Sequence, residues 1–239
     1  MIEITFEGII AICLAAVGIM VMYNLQKRKR NLTCIKYPFL SLVDVRGEIR
    51  DKIRIYYAED LVENLSMMKV KVKNRGNIPI RSEKIVKTLE FDFGENLKVI
   101  DHNVSDIKPR GINVELKYDT ESNLIKCYFD LLNQKDEFTI KFLCSGVGKE
   151  YPKINARIEG IKQIDVITIA EEEVENMNRL GNFYMTVGLL LLIYAIIDYF
   201  FSGNINGLSV VVFSGILLII FAILAKKIPY SRLGSLSKR

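Results

Sequence analysis

The sequence predicts an α+β membrane protein. An all-β sandwich lies between one N-terminal transmembrane helix and a C-terminal transmembrane hairpin, which makes three transmembrane helices. Two observations favour this fold class. Half of the 239 residues are hydrophobic although 26% are charged, and the two kinds occupy different stretches of the chain. In the polar stretch, apolar and polar residues alternate with a period of two, which is typical of strands with one buried face.

The first apolar segment covers residues 9–23 and extends back through Ile4 and Phe6. That gives about 20 residues, enough to cross a hydrocarbon layer of ~30 Å. A secretory signal would begin with basic residues and end at a cleavage site. Here acidic Glu3 and Glu7 come first and the basic cluster follows the apolar core, so the segment is predicted to be a retained anchor.

Two further apolar segments, residues 183–201 and 208–225, are separated by a short uncharged link rich in turn formers. The pair is predicted to form a tight transmembrane hairpin, and three small residues in it would let helices approach closely: Gly188, Gly215 and Ala222. Asp198 lies within one turn of the end of the second segment. Two interpretations stay open for it: a carboxylate solvated at the interface, or a group of a pore or of an interface between copies.

The distribution of basic residues predicts the orientation. Residues 27–180 hold 28 of the 33 Lys and Arg residues, and residues 226–239 hold the other five. Because basic segments stay on the cytoplasmic side, the chain is predicted to be a multi-pass plasma-membrane protein. Its N-terminus lies outside, and the central domain and C-terminus are cytoplasmic. The predicted topology signals are Lys27, Arg28, Lys29, Arg30, Lys226 and Lys227.

The chain is predicted to divide into five parts: a transmembrane helix (1–26), a cytoplasmic β-sandwich (27–167), a connector helix (168–182), a transmembrane hairpin (183–225) and a basic tail (226–239). Without the basic cluster at 27–30, residues 27–180 hold 24 basic and 25 acidic residues. A nucleic-acid-binding domain is far more basic than this, so nucleic acid is not an expected partner. The basic cluster and tail predict membrane lipids as partners.

Alternating segments define the predicted strands of the sandwich. They occur at residues 52–57, 68–73, 89–93, 112–118, 125–129, 138–143 and 154–158. Turn-forming residues separate them, for example Asn74-Arg75-Gly76-Asn77. Seven or more short strands at this spacing favour an antiparallel β-sandwich.

Two motifs in this region carry a resemblance. The segments VKVKNRGNIPI (70–80) and LLNQKDEFTIKFL (131–143) resemble the immunoglobulin-like domains of many bacterial and archaeal surface or membrane proteins. In those domains an N-x-G-N-x-P-I turn closes a strand pair and an L-N-x-G-D-x-F-T corner opens a later strand. Lys135 stands where the corner glycine is usual. Independently of the resemblance, Asn133 and Asp136 can cap their own loop through side-chain oxygens.

With its apolar N-terminal segment and ARIEGIKQI (156–164), the chain resembles a set of uncharacterised prokaryotic membrane-anchored proteins with such a domain. The resemblance covers about residues 52–164. It implies an immunoglobulin-like fold and no particular activity, because this fold hosts many functions.

The sequence predicts no catalytic, cofactor or metal site. The four cysteines, Cys13, Cys34, Cys127 and Cys144, have no CxxC spacing, and His102 is the only histidine. The cysteines are predicted to be reduced and buried. The glycines at 146 and 148 lack the remaining residues of a phosphate-binding loop.

The predicted function is therefore a membrane-tethered cytoplasmic interaction or sensor module that is not an enzyme. Its partner would be a protein or a small ligand on the cytoplasmic side. The alternative is a homo-oligomeric membrane effector or pore-forming protein, gated by the sandwich and acting in stress or antiviral defence. An enzyme with a site assembled from sandwich loops is the weakest hypothesis.

Overall fold

The structure is a computed structural model that describes residues 29–42, 55–57, 60–62, 65–146, 150–202 and 208–227. The predicted first apolar segment, Cys13, Lys27 and Arg28 lie outside these residues, as does the chain beyond 227. The chain divides into two compact units. One spans Arg28–Ile169, and the other contains the two described α-helices.

The first unit is built from short strands. In chain order they are β1 (Leu32–Lys36), β2 (Leu40–Ser41), β3 (Ile55–Tyr57), β4 (Asp60–Val62), β5 (Ser66–Asn74), β6 (Ile80–Arg81), β7 (Ile85–Asp92), β8 (Leu97–Lys108), β9 (Val114–Asp119), β10 (Leu124–Phe129), β11 (Leu131–Leu132), β12 (Glu137–Gly146), β13 (Lys153–Ile158) and β14 (Asp165–Thr168). A 3-10 turn, Ser82–Lys84, precedes β7.

These strands form two main sheets. The six-stranded sheet has the order β14-β1-β5-β12-β8, with β2 beside β5, and the four-stranded sheet has the order β13-β7-β10-β9. Two small pairs, β11-β6 and β3-β4, complete the described strands. The strand pairs are antiparallel except β1-β14, which is parallel. The mostly-β, sandwich-like architecture predicted for the middle of the chain is therefore confirmed.

The core lies between the two main sheets. Strand β5 shows the period-two pattern directly, because Met68, Val70 and Val72 are buried while the lysines between them face outward. Phe142 of β12 lies 5.2 Å, between ring centroids, from Phe91 of β7. Aromatic pairs of this kind add to the stabilisation that burial alone provides, so they hold the sheets together.

Buried Asn74, at the end of β5, brings the two resemblance motifs together. Its amide donates to the carbonyl oxygens of Ile78 (3.0 Å) and Leu132 (2.9 Å), and its side-chain oxygen accepts from the Gly76 N–H (2.9 Å). Buried backbone groups without a hydrogen-bond partner are costly, and Asn74 supplies a partner to each of these three. Asn74 thus joins the first motif to the corner before β12.

The corner before β12 forms as its residues predict. The Asp136 carboxylate accepts a hydrogen bond from the Asn133 N–H at 2.8 Å, which confirms that this loop is capped by its own side chain. Lys135 occupies the left-handed region with φ +70°. Glycine adopts that conformation without strain, which explains why a glycine is usual at this corner.

Four strands of the six-stranded sheet, β1, β2, β8 and β14, were not predicted from the alternating pattern. Strand β1 has Leu32, Thr33, Cys34 and Ile35 all buried, so it shows no alternation. Strand β8 runs through 101–103, where the sequence predicts a polar turn. Its pairing with β12 contains irregularities, and a bulge of this kind disrupts the regular alternation of faces.

The second unit contains α1 (Ile169–Ser202) and α2 (Leu208–Lys227). The predicted connector and the second apolar segment are one continuous helix, α1. The two helices approach closely at Gly188 and Gly215, because a Cβ on Gly188 would lie 2.8 Å from the Gly215 carbonyl oxygen. Ala222 is fully buried. The small residues Gly188 and Gly215 thus bring α1 and α2 of one chain together, and a close approach between copies stays a prediction.

The predicted fold class with three transmembrane helices is wrong. The described residues contain two α-helices in a mostly-β chain, and only α1 is long and apolar enough to cross a membrane. The described apolar stretch of α2, Ser209–Leu224, rises only about 24 Å at ~1.5 Å per residue. That is less than the ~30 Å of a bilayer core. The two apolar segments have nearly the same length in the sequence, so counting apolar residues did not reveal that only α1 is long enough.

Candidate functional site

The candidate site is a row of lysines on the outer face of the six-stranded sheet. Lys69, Lys71 and Lys73 alternate with buried residues on β5, so their side chains share the outward face. Lys141 of β12 lies directly opposite Lys69, and Lys108 at the end of β8 lies opposite Glu137. These five side chains are called the lysine face below.

One end of the lysine face surrounds a carboxylate. Glu137 lies 2.9 Å from the Lys73 ammonium, 3.7 Å from that of Lys108 and 3.9 Å from that of Lys71. Burial by itself raises the pKa of Glu137. The hydrogen bond from Lys73 and the charges of Lys73, Lys71 and Lys108 outweigh that effect, and the pKa lies below its ordinary value. Glu137 is therefore an anion held by three cations.

Among the described residues, the other end of the lysine face has no carboxylate held by lysines, and the nearest one in the register, that of Asp101 opposite Leu143, accepts from the Tyr57 hydroxyl. Lys69 and Lys141 are directly opposite each other and half-buried. In the part of the chain that the structure describes, neither forms an ion pair. Like charges in directly opposite positions destabilise a sheet. The register therefore creates a local excess of positive charge at this pair.

Side chains that can favour binding surround the Lys69–Lys141 pair. Tyr37 lies beside it, since its N–H donates to the Lys69 carbonyl oxygen and its ring lies 5.8 Å from the Lys71 ammonium. The next opposed pair along the two strands is Met67 with Leu143. The pair is thus bordered by an aromatic ring and two apolar side chains.

The four-stranded sheet carries a comparable lysine pair with a different surrounding. Lys117 of β9 and Lys126 of β10 are directly opposite each other. Glu115 lies 3.4 Å from the Lys117 ammonium. Glu90 of β7 lies directly opposite Lys126, with its carboxylate 2.8 Å from the Lys87 ammonium. This lysine pair therefore has carboxylates directly beside it in its own sheet.

The predicted topology residues that the structure describes are placed in different ways. The Arg30 guanidinium donates to the Glu159 carbonyl oxygen at 3.1 Å and lies 4.0 Å from its carboxylate. The Lys29 N–H donates to Asn77 at 2.7 Å, and a Cβ at Gly76 would collide with the Lys29 backbone. Arg30 therefore helps to close the sandwich, a role that the sequence did not suggest.

The other predicted residues lie in the helices. Asp198 is half-buried in α1, about one turn before its end at Ser202. Lys226 and Lys227 are the last residues of α2, and their side chains lie outside the described part. Their assignments as topology signals and as a pore or interface group stay predictions.

Three cysteines lie in the sandwich core as free thiols. Cys34, Cys127 and Cys144 are buried, which confirms the prediction for them. Burial raises the pKa of Cys34 and of Cys144 to about 12 and raises that of Cys127 further. A thiol is nucleophilic only as a thiolate, so these groups are inert at neutral pH.

The described residues offer little for catalysis or metal binding. They contain no group of three or more His, Cys, Asp or Glu residues arranged to hold a metal ion. The His102 ring packs edge-on against Tyr118, with 5.9 Å between centroids. A small cleft of about 210 Å³ lies between the β7–β8 turn and Tyr151, bordered by Asp92, Glu95 and Glu150. Polar and charged residues make up most of its lining, unlike that of an apolar ligand pocket.

Comparisons with known proteins do not identify a family. No protein-family model and no curated protein matches the chain. A solved structure of the RrgA Jo.In complex is similar at 13% identity and a TM-score of 0.31, over 45% of this chain and 69% of that one. Biomass-sensing modules from Rsgi-like proteins of Clostridium thermocellum, which resemble a family 3 carbohydrate-binding module of the cellulosome, are similar at 11% identity and a TM-score of 0.28. They cover 56% of this chain and 97% of the module. Similarities this low carry no argument about function.

Proposed function

We propose that this protein is a non-catalytic interaction module attached to a membrane, in which the sandwich binds a partner and α1 holds it at the bilayer. The observation that carries the proposal is the outer surface of α1. Phe183 and Ile196 are 62% and 56% exposed, and Leu189 and Ile193 are similarly exposed. Apolar surface of this extent in water costs about 25 cal/mol per Å², and it marks a membrane or protein contact.

The composition of α1 fits a helix that emerges from water into lipid. Only 17% of its most apolar window is buried, so it differs from the core helix of a soluble protein. Its first turns carry Glu171, Glu172 and the Glu175–Arg179 ion pair. Acidic residues are favourable at a helix N-terminus. β14 ends at Thr168 and α1 begins at Ile169, so no linker separates the sandwich from the helix.

The side of the membrane and the type of domain follow from the sequence. The basic residues at 27–30 support a position of the sandwich on the cytoplasmic face of the plasma membrane. The two motifs joined by Asn74 support an immunoglobulin-like sandwich of the kind found in prokaryotic membrane-anchored proteins. Such a domain would present its outer sheet faces to a protein or a small ligand.

Carbonate extraction of membranes from cells that express the full-length chain tests the attachment. We expect the wild-type protein to stay in the membrane pellet. Ile193→Lys with Ile196→Lys should move it to the soluble fraction, because each lysine costs about 3 kcal/mol at the centre of a bilayer. Val86→Lys, at a 71% exposed site on β7, is the matched control and should stay in the pellet. Release of the wild-type protein by carbonate would contradict the proposal.

A second candidate function is an oligomeric membrane effector. The observation that favours it is Asp198, a carboxyl-bearing residue half-buried in an apolar helix. Ionisable residues in such segments usually face other helices or water-filled cavities. The mass of the protein in lipid discs tests this candidate. A closed oligomer that conducts ions, with conductance altered by Asp198→Asn, would support it, and a monomer without conductance would remove it.

A further inference from the structure

We propose that the lysine face docks an extended acidic segment of a partner protein, with one carboxylate seated between Lys69 and Lys141. This inference deepens the proposed function, on which it rests, by naming the docking surface and the chemistry of the partner. It starts from the difference between the two ends of the lysine face. At one end, Glu137 compensates Lys71, Lys73 and Lys108, whereas Lys69 and Lys141 form no ion pair among the described residues. Asp101 of β8, opposite Leu143, accepts from the Tyr57 hydroxyl instead.

The geometry of the Lys69–Lys141 pair is that of an anion-binding site. Directly opposite side chains of an antiparallel pair have Cβ atoms about 5 Å apart, so two ammonium groups can converge on one carboxylate. Both side chains are half-buried, and desolvation strengthens a charge-assisted hydrogen bond. An anion placed there would turn a repulsive contact into two attractive ones.

The spacing of the lysines fits an extended polypeptide. Lys69, Lys71 and Lys73 recur every second residue along β5, which places them roughly 7 Å apart. Acidic residues at alternate positions of an extended segment recur at the same distance. A first carboxylate between Lys69 and Lys141 would bring the next one near Lys71.

The surroundings favour a protein partner over other polyanions. A lipid surface is best met by long side chains that reach out from the protein, whereas Lys69 and Lys141 are half-buried in the sheet face. Nucleic acid requires a strongly basic domain, and residues 31–180 are close to neutral. Met67, Leu143 and Tyr37 beside the pair offer apolar contacts that a peptide can use and a free phosphate cannot.

The experiment measures binding of a labelled peptide to the full-length protein in detergent micelles by fluorescence anisotropy. The probe is a short peptide in which glutamate alternates with threonine, and its control has glutamine in place of glutamate. We expect the glutamate probe to bind, the glutamine probe not to bind, and affinity to fall at high salt. Lys69→Gln with Lys141→Gln should weaken binding about tenfold or more, because the carboxylate loses two charge-assisted hydrogen bonds.

The matched control is Lys117→Gln with Lys126→Gln. It removes the same charge from a directly opposed lysine pair on the other sheet, and it should leave affinity unchanged. A thermal unfolding curve of the Lys69/Lys141 variant shows whether the variant is folded. Because the substitution removes a like-charge repulsion, its unfolding temperature should be equal to or higher than that of the wild type.

Two results would overturn the inference. Equal binding by the wild type and by the Lys69/Lys141 variant would place the acidic segment elsewhere. Binding of anionic lipid vesicles or inorganic phosphate to the wild type, without binding of the glutamate probe, would show that the anion is not a polypeptide. These outcomes are separate from carbonate extraction, because binding in micelles does not depend on whether α1 inserts into a bilayer.

Discussion

The outer faces of the two sheets each carry a pair of directly opposed lysines, and the two pairs differ in what surrounds them. Lys117 and Lys126 on the four-stranded sheet stand beside Glu115 and Glu90. Lys69 and Lys141 on the six-stranded sheet have no carboxylate partner among the described residues. The two faces are similar in residue type and differ in where the acidic residues fall in the register.

This difference shows that a nearly neutral domain can still present a local cluster of positive charge that can bind an anion. Opposed like charges are unfavourable wherever they occur, so a face that compensates them needs no external partner. A face that leaves them uncompensated gains by binding an anion. Glu137 lies on the same face and compensates only the Lys73 end. The site is therefore confined to the Lys69–Lys141 end.

The largest expected effect comes from removing the Glu137 carboxylate, which lies among three side chains of the lysine face. Glu137→Gln leaves Lys71, Lys73 and Lys108 around an uncharged amide. Loss of a charge-assisted hydrogen bond from a side chain only 12% exposed should lower the free energy of unfolding by about 2 kcal/mol. Urea unfolding followed by tyrosine fluorescence measures it, since the chain has no Trp. A variant as stable as the wild type would mean that the three lysines do not need this anion.

Acid should remove the same stabilisation without a mutation. The pKa of Glu137 in the folded protein lies below its ordinary value, so its contribution is present above the unfolded-state pKa of about 4.3. That contribution is lost as pH falls through the folded-state pKa. The difference in unfolding free energy between the wild type and Glu137→Gln should be constant from neutral pH to about pH 5. It should then shrink at lower pH, and a difference that persists at acid pH would exclude this carboxylate as its cause.

The alternating strands could be predicted from the sequence because their polarity follows the faces of the sheet. The segment at 68–73 predicted β5 and its outward lysines, and 138–143 predicted β12. The opposition of Lys69 and Lys141 could not be predicted, because register depends on how the chain turns between strands. Here Asn74, Lys135 and Asp136 set that register through backbone hydrogen bonds between the two corners.

Other features could not be predicted from the sequence, for three different reasons. Arg30 belongs to a basic cluster that predicts membrane topology, yet its side chain bonds to Glu159 in the sandwich. Strand β1 is buried on both faces, so no alternation marks it. The apolar runs of α1 and α2 look equally long in sequence. Only the helix bounds show that the described apolar stretch of α2 is the shorter.

Placing a carboxylate within the Lys69–Lys141 pair should make the six-stranded face resemble the four-stranded one. Lys141→Glu changes a repulsive opposed pair into an attractive one, which should raise the free energy of unfolding by about 0.5–1 kcal/mol. It should also abolish binding of the glutamate probe. Lys126→Glu on the other sheet is the matched control, and it should change stability less because Glu90 already lies opposite Lys126. A destabilised Lys141→Glu variant would contradict the view that this pair lacks an anion.

The smallest expected effect tests the compensated face. Glu115→Gln removes one carboxylate from beside Lys117, but both side chains are more than 60% exposed. Exposed ion pairs are screened by water and salt, so the loss in unfolding free energy should be below about 0.5 kcal/mol. The loss should also disappear at high salt. The variant should bind the glutamate probe with the same affinity and stoichiometry as the wild type, because Glu90 still stands opposite Lys126 and no second site should form there. A second bound probe would mean that compensation by neighbouring carboxylates does not explain why the six-stranded face is the docking surface.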